Sequence, residues 1–171
     1  ATFDLDKLNW MNNQYLKNAD PEKLLEEIIP ALAEKGLVDK ENLDRNYALS
    51  LVKLFQARMT TVNDFSDWAD FFFVDKPAVD PEAEKKYLSK DLSREFGLFC
   101  ERLESLPAFD IVSIEGAFRQ LVGELGIQSK ELIHPLRVAL TGKTIGPGLF
   151  EVIYYLGRER TKKRLDRFIR R

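Results

Sequence analysis

The sequence contains few of the residues that carry catalysis or bind metals: its 171 residues include one histidine, one cysteine and two methionines. The single Cys100 cannot form a disulfide within the chain, and the apolar Leu98-Phe99 before it predicts a buried thiol. The single histidine, His134, has only Glu131 as an acidic neighbour, which leaves a nucleophilic triad without partners. No cysteine and histidine share metal-ligand spacing. We therefore expect neither a catalytic residue nor a metal ion in this chain.

Long apolar runs and nucleotide-binding motifs are also absent. No stretch approaches the roughly 20 apolar residues of a membrane span, and Ala1-Thr2-Phe3-Asp4 has neither the basic nor the apolar region of an export signal. Gly142-Lys143-Thr144 ends like a phosphate-binding loop, but the upstream glycine of such a loop is missing. The pair Glu26-Glu27 lies on a polar helix face, where both carboxylates are expected to be solvated. These absences predict a cytoplasmic chain without a bound cofactor.

The spacing of apolar residues is helical along the chain. Apolar residues recur every three or four positions, and neither an alternating run nor an Asn-Gly hairpin turn is present. Asp20-Pro21 and Asp80-Pro81 each place a capping carboxylate before a proline at the first helical position. Pro30 predicts a kink and Gly157 a bend. The sequence predicts an all-α fold. Helices are expected near residues 5–16, 20–36, 40–57, 91–106, 113–126, 129–142 and 148–170, with a further helix starting at Asp80-Pro81 and a short aromatic segment at 65–73.

One segment breaks this pattern and predicts a division of the chain. Residues 74–81 contain two prolines and no apolar periodicity, which is typical of a boundary between subdomains. We therefore expect two helical subdomains, residues 1–78 and residues 79–171.

Charge is distributed unevenly between the body of the chain and its last 14 residues. Residues 158–171 carry eight basic and two acidic side chains, a net charge of +6, whereas the remaining residues have a net charge of −8. A cationic end on an acidic body favours a localised anionic partner. Cations are also stabilised near the C-terminal end of a helix by its dipole, so composition alone leaves both interpretations open.

Three stretches together resemble the C-terminal part of bacterial-type glutamyl-tRNA synthetases. The first is Phe3-Asp4-Leu5-Asp6-Lys7-Leu8-Asn9-Trp10-Met11-Asn12 with Tyr15-Leu16, similar to the segment that follows the family's catalytic domain. The second is Pro135-Leu136-Arg137-Val138-Ala139-Leu140-Thr141-Gly142, and the third runs from Gly146-Pro147-Gly148-Leu149-Phe150-Glu151 to Leu156-Gly157-Arg158-Glu159-Arg160 and Arg164-Leu165. Their order and spacing agree over essentially the whole chain.

The resemblance implies a fold and a role. Residues 1–78 would form a helical stem-contact subdomain, and residues 79–171 a helical cage that grips the anticodon of tRNA(Glu). The family's catalytic half carries a His-x-Gly-His type motif and a Lys-Met-Ser-Lys-Ser type loop, and neither occurs here. This chain should therefore be inactive by itself, whereas the parent monomer would ligate glutamate to tRNA with ATP and magnesium. The implied partners are tRNA(Glu) and the catalytic domain of the same enzyme.

Arg58 matches the family's reader of the third anticodon letter. A guanidinium offers only hydrogen-bond donors, and the pairing edge of cytosine presents acceptors where that of guanine presents mostly donors. An arginine there would favour the glutamate anticodon, which ends in C, over the glutamine anticodon, which ends in G. The alternative is that Arg58 caps the C-terminal end of the helix at 40–57.

The resemblance also implies contacts near the C-terminus. Arg137 is expected to contact the first anticodon letter, although pairing with an acid would suit it equally. The loop Gly146-Pro147-Gly148 would offer backbone amides to a base edge, with Leu149 or Phe150 as an apolar face; a plain helix-start turn is the alternative. Thr141 belongs to the same predicted RNA-binding set. The basic residues of the last helix, among them Arg160 and Arg164, would contact phosphates.

A second interpretation stays open at this point. The chain could be a stand-alone helical interaction module whose basic end meets an acidic protein, with RNA binding incidental.

Overall fold

The computed structural model describes residues 4–169 and is helical throughout, with no strand among those residues. It divides into two compact units between Val74 and Asp75. The all-α class predicted from apolar spacing is confirmed. The division lies four residues before the predicted boundary, because the segment after Val74 packs on the second unit: Pro77 is buried, and Asp80 N–H donates to the Gly142 carbonyl at 3.0 Å.

The first unit contains four α-helices and two short 3₁₀ turns. They are α1 Leu5–Asn18, α2 Pro21–Glu34, α3 Arg45–Phe55, the 3₁₀ turn Gln56–Arg58, α4 Val62–Trp68 and the 3₁₀ turn Asp70–Phe72. Helix α2 packs on α3 and α4, and α1 packs on the turn Gln56–Arg58. The core is aromatic, with Phe55 meeting Phe65 and Phe72 edge to face at ring-centroid distances of 5.7 and 6.3 Å.

The second unit contains five helices arranged around the last one. They are α5 Pro81–Tyr87, α6 Ser93–Ser105, α7 Ile111–Leu125, α8 Ser129–Thr141 and α9 Leu149–Ile169. Helix α9 packs on α6, α7 and α8, and its backbone breaks at Gly157, where φ is 80° and ψ is 166°. Only glycine adopts such a conformation without strain, so the predicted bend is confirmed.

Capping chemistry explains most helix boundaries. Asp20 and Asp80 accept backbone hydrogen bonds at the starts of α2 and α5, each followed by a proline as predicted. Three predicted starts were wrong. Helix α6 begins at Ser93 and not at residue 91, and the Asp91 carboxylate accepts from Ser93 N–H at 2.9 Å. Helix α3 begins at Arg45 and not at residue 40, because the Asp44 carboxylate caps it through Tyr47 N–H. Helix α7 begins two residues earlier than predicted, because Asp110 caps it through Ser113 N–H.

Two further sequence predictions concern single residues. Helix α2 continues through the exposed Pro30, with no interruption of its helical backbone. Cys100 is 4% exposed on α6, and burial, with smaller effects from neighbouring charges led by Asp166, raises the pKa of its thiol to about 11. The burial confirms the prediction of a buried thiol, and a thiol that stays protonated near neutral pH is a weak nucleophile.

Candidate nucleic-acid interface

Arg58 projects into solvent at the end of the 3₁₀ turn between α3 and α4. Among residues 4–169, no hydrogen bond or ion pair of its side chain is found. Helix α3 has already ended at Phe55, and the guanidinium contacts none of its terminal carbonyls. The alternative that Arg58 caps this helix therefore lacks the contact it requires, and the side chain is accessible to a ligand.

The backbone that carries Arg58 is held by two side-chain amides. Asn13, on α1, donates from Nδ2 to the carbonyls of Ala57 at 3.2 Å and Met59 at 2.8 Å, the residues on either side of Arg58. Gln56, which is 8% exposed, donates from Nε2 to the carbonyls of Leu16 and Ala19, both at 2.8 Å. Helix α1 thus donates hydrogen bonds to the turn through Asn13, and the turn donates hydrogen bonds to α1 through Gln56. Sequence reasoning missed both amides, because no local pattern distinguishes Asn13 from Asn12.

A carboxylate fixes the chain immediately after the turn. Asp64 accepts from the backbone N–H groups of Thr60 and Thr61, at 2.7 and 2.9 Å, and from both threonine hydroxyls at 2.9 Å. Partial burial raises the pKa of Asp64, but these four hydrogen bonds outweigh it and hold the pKa below its ordinary value of 3.8. The ionised carboxylate forms the capping box of α4 with Thr61. The backbone on both sides of the exposed Arg58 is therefore held by side-chain hydrogen bonds.

The second unit brings together Arg137 and the glycine loop, which the sequence singled out separately. The half-buried Arg137 donates from a terminal nitrogen to the Pro147 carbonyl at 2.7 Å. A Cβ atom added at Gly146 would lie 3.4 Å from the same guanidinium. Gly146 and Gly148 are exposed, whereas Pro147 is buried. The arginine thus supports the loop, and loop and guanidinium form one surface.

Thr141 is buried at 2% exposure. Its hydroxyl donates to the Arg137 carbonyl at 2.8 Å and accepts from Lys143 N–H at 3.0 Å. The next residue, Gly142, has φ of 74°, and a Cβ atom there would lie 1.9 Å from the Ala78 carbonyl oxygen. The structure therefore gives Thr141 a place in the turn that leads to the glycine loop, without a surface for direct RNA contact.

The start of α9 differs in detail from the prediction. Gly148 N–H donates to the Glu151 carboxylate at 2.9 Å, so this amide is occupied by an acid of the same helix. Leu149 is 3% exposed, and the half-buried Phe150 packs against Phe118 with a ring-centroid distance of 5.3 Å. The exposed apolar side chain of the loop is Ile145, at 85%, which sequence reasoning did not single out.

Three arginines of α9 bind carbonyl groups at the ends of helices. Arg158 donates to the carbonyls of Leu103, Glu104 and Leu106 at 2.6–2.9 Å, at the C-terminal end of α6. Arg160 donates to Leu156 and Tyr155, the last carbonyls before the break at Gly157. Arg164, 1% exposed, donates to the Leu140 carbonyl at 2.5 Å, in the last turn of α8. Cations at these negative helix ends are favoured by the dipole.

The remaining cations of residues 158–171 differ in what they contact. Lys162 pairs with Glu104 at 2.9 Å, and Arg167 lies over the Phe168 ring at 5.7 Å from its centroid. Lys163 is exposed. Arg170 and Arg171, whose side chains were also predicted to contact phosphate, lie outside the described residues, as does Phe3. Much of the +6 charge thus serves packing of the second unit, which sequence composition could not distinguish from phosphate binding.

The described helices include none with the length and apolarity that crossing a membrane requires. Within residues 4–169, no group of three or more histidine, cysteine, aspartate or glutamate side chains is placed to hold a metal ion. These residues present hydrogen-bond donors on backbone held by other side chains: Arg58 in the first unit, and Arg137 beside the exposed glycines of the loop in the second. Such groups suit recognition of polar, anionic ligands.

Comparisons with known proteins identify the family of the chain. Residues 12–169 match a protein-family model described as "Anticodon binding domain". The chain is 37% identical over 174 residues to a glutamate–tRNA ligase of Caldanaerobacter subterraneus and 35% identical over 173 residues to one of Thermoanaerobacter pseudethanolicus. Each alignment covers 99% of this chain and 35% of the relative. The chain thus spans about a third of the length of the relatives it matches.

Solved structures give the same result for the fold. A glutamate tRNA ligase from Elizabethkingia meningosepticum, determined in complex with its amino acid, superposes with a TM-score of 0.85 at 29% sequence identity. The superposition covers 99% of this chain and 33% of the ligase. A glutamate–tRNA synthetase from Elizabethkingia anophelis gives a TM-score of 0.80 at 29% identity.

Proposed function

Because the chain belongs to the anticodon binding domain family, we propose that it recognises the anticodon of tRNA(Glu) as part of a glutamate–tRNA ligase. The observation that carries this proposal is Arg58, an exposed guanidinium on a turn fastened by Asn13 and Asp64. The similarity to glutamate–tRNA ligases over 99% of the chain supports it. We further propose that the ligase activity, with its ATP and magnesium, resides in parts of the longer protein that this chain does not include.

Arg58 would select the third anticodon letter by donor–acceptor matching. Its guanidinium presents N–H donors and no acceptor, which complements the ring nitrogen and carbonyl on the pairing edge of cytosine. Guanine would present its own N–H groups at the same place, leaving donors opposed to donors. The mismatch costs about 1–3 kcal/mol, which corresponds to about 5- to 150-fold in affinity. An unstacked anticodon base exposes this edge to a protein.

The glycine loop of the second unit would contact the other letters. Gly146 and Gly148 are exposed beside Arg137, so a base edge can approach the loop backbone closely. Ile145, at 85% exposure, takes the place proposed earlier for Leu149 or Phe150 as the apolar face. Thr141, Arg160 and Arg164 would support this surface through the turn and helix ends that they bind.

One face of α1 would contact the rest of the longer ligase. Leu8, Met11 and Tyr15 follow one another at helical spacing and are 39%, 54% and 70% exposed. Burying such a stripe is favourable by about 25 cal/mol per Å² of apolar surface. Since the relatives are about three times as long as this chain, we propose the remaining part of the same polypeptide as the occupant.

The anticodon proposal is tested with Arg58→Gln and two short hairpin RNAs. The RNAs carry the anticodon stem and loop of tRNA(Glu) with C or with G at the third anticodon letter, and fluorescence anisotropy gives each Kd. The wild-type chain should prefer the C hairpin by about tenfold, in the range expected for one discriminating contact. Arg58→Gln should reduce the preference to about twofold or less, because a glutamine offers both a donor and an acceptor.

Arg45→Gln is the matched control. Arg45 is also exposed, lies at the opposite end of α3 and pairs with Glu26, so its loss should leave the C-to-G preference unchanged. Equal binding of both hairpins by the wild-type chain, or an unchanged preference in Arg58→Gln, would contradict the proposal. Equal binding would instead favour a generic basic surface.

A further inference from the structure

We propose that Asn13 is a positioning residue for anticodon discrimination: its side-chain amide fixes the turn that presents Arg58. This inference rests on the proposed function of Arg58. It extends the specificity-determining part of the site from the turn Gln56–Arg58 to α1, where Asn13 lies 44 residues away in sequence from Ala57, the nearer of its two acceptors.

The hydrogen bonds of Asn13 meet both sides of Arg58. The side-chain amide of the half-buried Asn13 has two N–H donors and two acceptors within reach, the carbonyls of Ala57 and Met59. With both donors engaged, the backbone before and after Arg58 is bonded to the same atom of a helix. Rotation of the turn would have to break both bonds, so Asn13 fixes the direction in which residue 58 projects.

Discrimination depends on that direction more than binding does. An arginine has several rotatable bonds, and a guanidinium on mobile backbone could move to accept whichever base edge offers an acceptor, including the carbonyl of guanine. A fixed turn sets the Cα–Cβ direction of Arg58 and so narrows the set of positions that the guanidinium can reach. Recognition sites require their contacting groups to be held to within about 0.5 Å by such supporting bonds. Loss of Asn13 should therefore reduce selectivity before it reduces affinity.

Gln56 makes the complementary connection. Its buried amide binds the carbonyls of Leu16 and Ala19 at the C-terminal end of α1, while Asn13 on α1 binds the carbonyls of the turn. Each element thus donates side-chain hydrogen bonds to backbone carbonyls at the end of the other. Met59, next to Arg58, is fully buried, which further limits movement of the turn.

The experiment measures the C-to-G preference of Asn13→Asp with the two hairpins described above. Aspartate has the shape of asparagine, but its carboxylate only accepts hydrogen bonds, so it faces the Ala57 and Met59 carbonyls without a donor. We expect the tenfold preference of the wild-type chain to fall to about threefold or less, with the affinity for the C hairpin reduced less than the preference.

Asn18→Asp provides the matched control. Asn18 lies on the same helix and also donates from Nδ2 to a carbonyl, but that carbonyl belongs to Gln14 within α1. The same chemical change there should leave the preference at the wild-type value. The double variant Arg58→Gln with Asn13→Asp should show the preference of Arg58→Gln alone, because Asn13 acts only through Arg58.

The outcomes separate this inference from the proposed function. If Arg58→Gln loses the preference while Asn13→Asp keeps it, the role of Asn13 is refuted and that of Arg58 stands. If Arg58→Gln keeps the preference, the proposed function itself fails. Should Asn13→Asp lose its helical circular dichroism, Asn13→Ala replaces it, since it removes both donors without adding charge; an unchanged preference in that variant refutes the inference equally.

Discussion

At the residue scale, the arginines of this protein divide into those that face solvent and those that bind helix ends. Arg58 is exposed, whereas Arg158 and Arg164 donate to the terminal carbonyls of α6 and α8. The sequence does not separate the two classes, since no residue next to these arginines indicates which carbonyls a guanidinium will meet after folding. The difference lies in what surrounds the guanidinium after folding, and it decides whether substitution affects RNA binding or stability.

We predict that Arg164→Ala lowers the free energy of unfolding by about 3 kcal/mol. The substitution empties a fully buried site and leaves the Leu140 carbonyl without its cation, and each effect is costly in a core. Urea denaturation followed by circular dichroism measures it. The exposed neighbour Lys163→Ala should change the value by less than about 0.5 kcal/mol. Equal stability of the two variants would show that Arg164 has no capping role.

At the element scale, helix boundaries follow local capping chemistry. Aspartates cap α1, α2, α3, α5 and α7, and left-handed glycines end α7 and α8. Gly126 and Gly142 have nearly the same φ, 65° and 74°, yet their surroundings differ. Gly126 has no atom within 4 Å of a built Cβ, whereas Gly142 approaches the Ala78 carbonyl. One glycine is required by conformation alone, the other also by packing.

We predict that Gly142→Ala destabilises the chain far more than Gly126→Ala. Left-handed backbone costs an L-residue about 1–2 kcal/mol, which is the whole expected effect at Gly126. At Gly142 the added methyl would lie 1.9 Å from a backbone oxygen, so the turn carrying Thr141 must move. This overpacking costs about 1–3 kcal/mol more. Urea denaturation of both variants checks the difference. Equal losses of unfolding free energy in the two variants would show that the backbone at Ala78 moves away from the methyl group without an energetic cost.

At the scale of the whole molecule, exposed apolar side chains are concentrated on α1. Leu5, Trp10, Met11 and Tyr15 are each more than half exposed there, although soluble chains seldom gather such residues in one place without a partner. The proposed partner is the remaining part of the longer ligase. Under that proposal, substitutions on this face should have effects that depend on whether the rest of the polypeptide is present.

We predict that Tyr15→Ser changes the free energy of unfolding of this chain by less than about 0.5 kcal/mol, because the side chain is 70% exposed. In the full-length ligase the same substitution should lower the midpoint of thermal unfolding by about 1 °C through a lost contact of roughly 1 kcal/mol, because the unfolding entropy grows with chain length. Val112→Ser, at an 81% exposed position on α7, is the control and should leave both unchanged. A full-length midpoint unaffected by Tyr15→Ser would contradict the proposed contact.

The sequence by itself determined the helical class, most helix boundaries and the resemblance that pointed to the anticodon, because caps, prolines, glycines and apolar spacing act over a few residues. The sequence also singled out both Arg137 and the glycine loop, whose Pro147 lies ten residues after Arg137. Only the tertiary structure decided which cations face solvent. Arg158 binds carbonyls more than 50 residues away, and Asn13 binds the turn of Arg58 across more than 40. Bonds between groups so distant depend on how helices pack, and no local pattern records that.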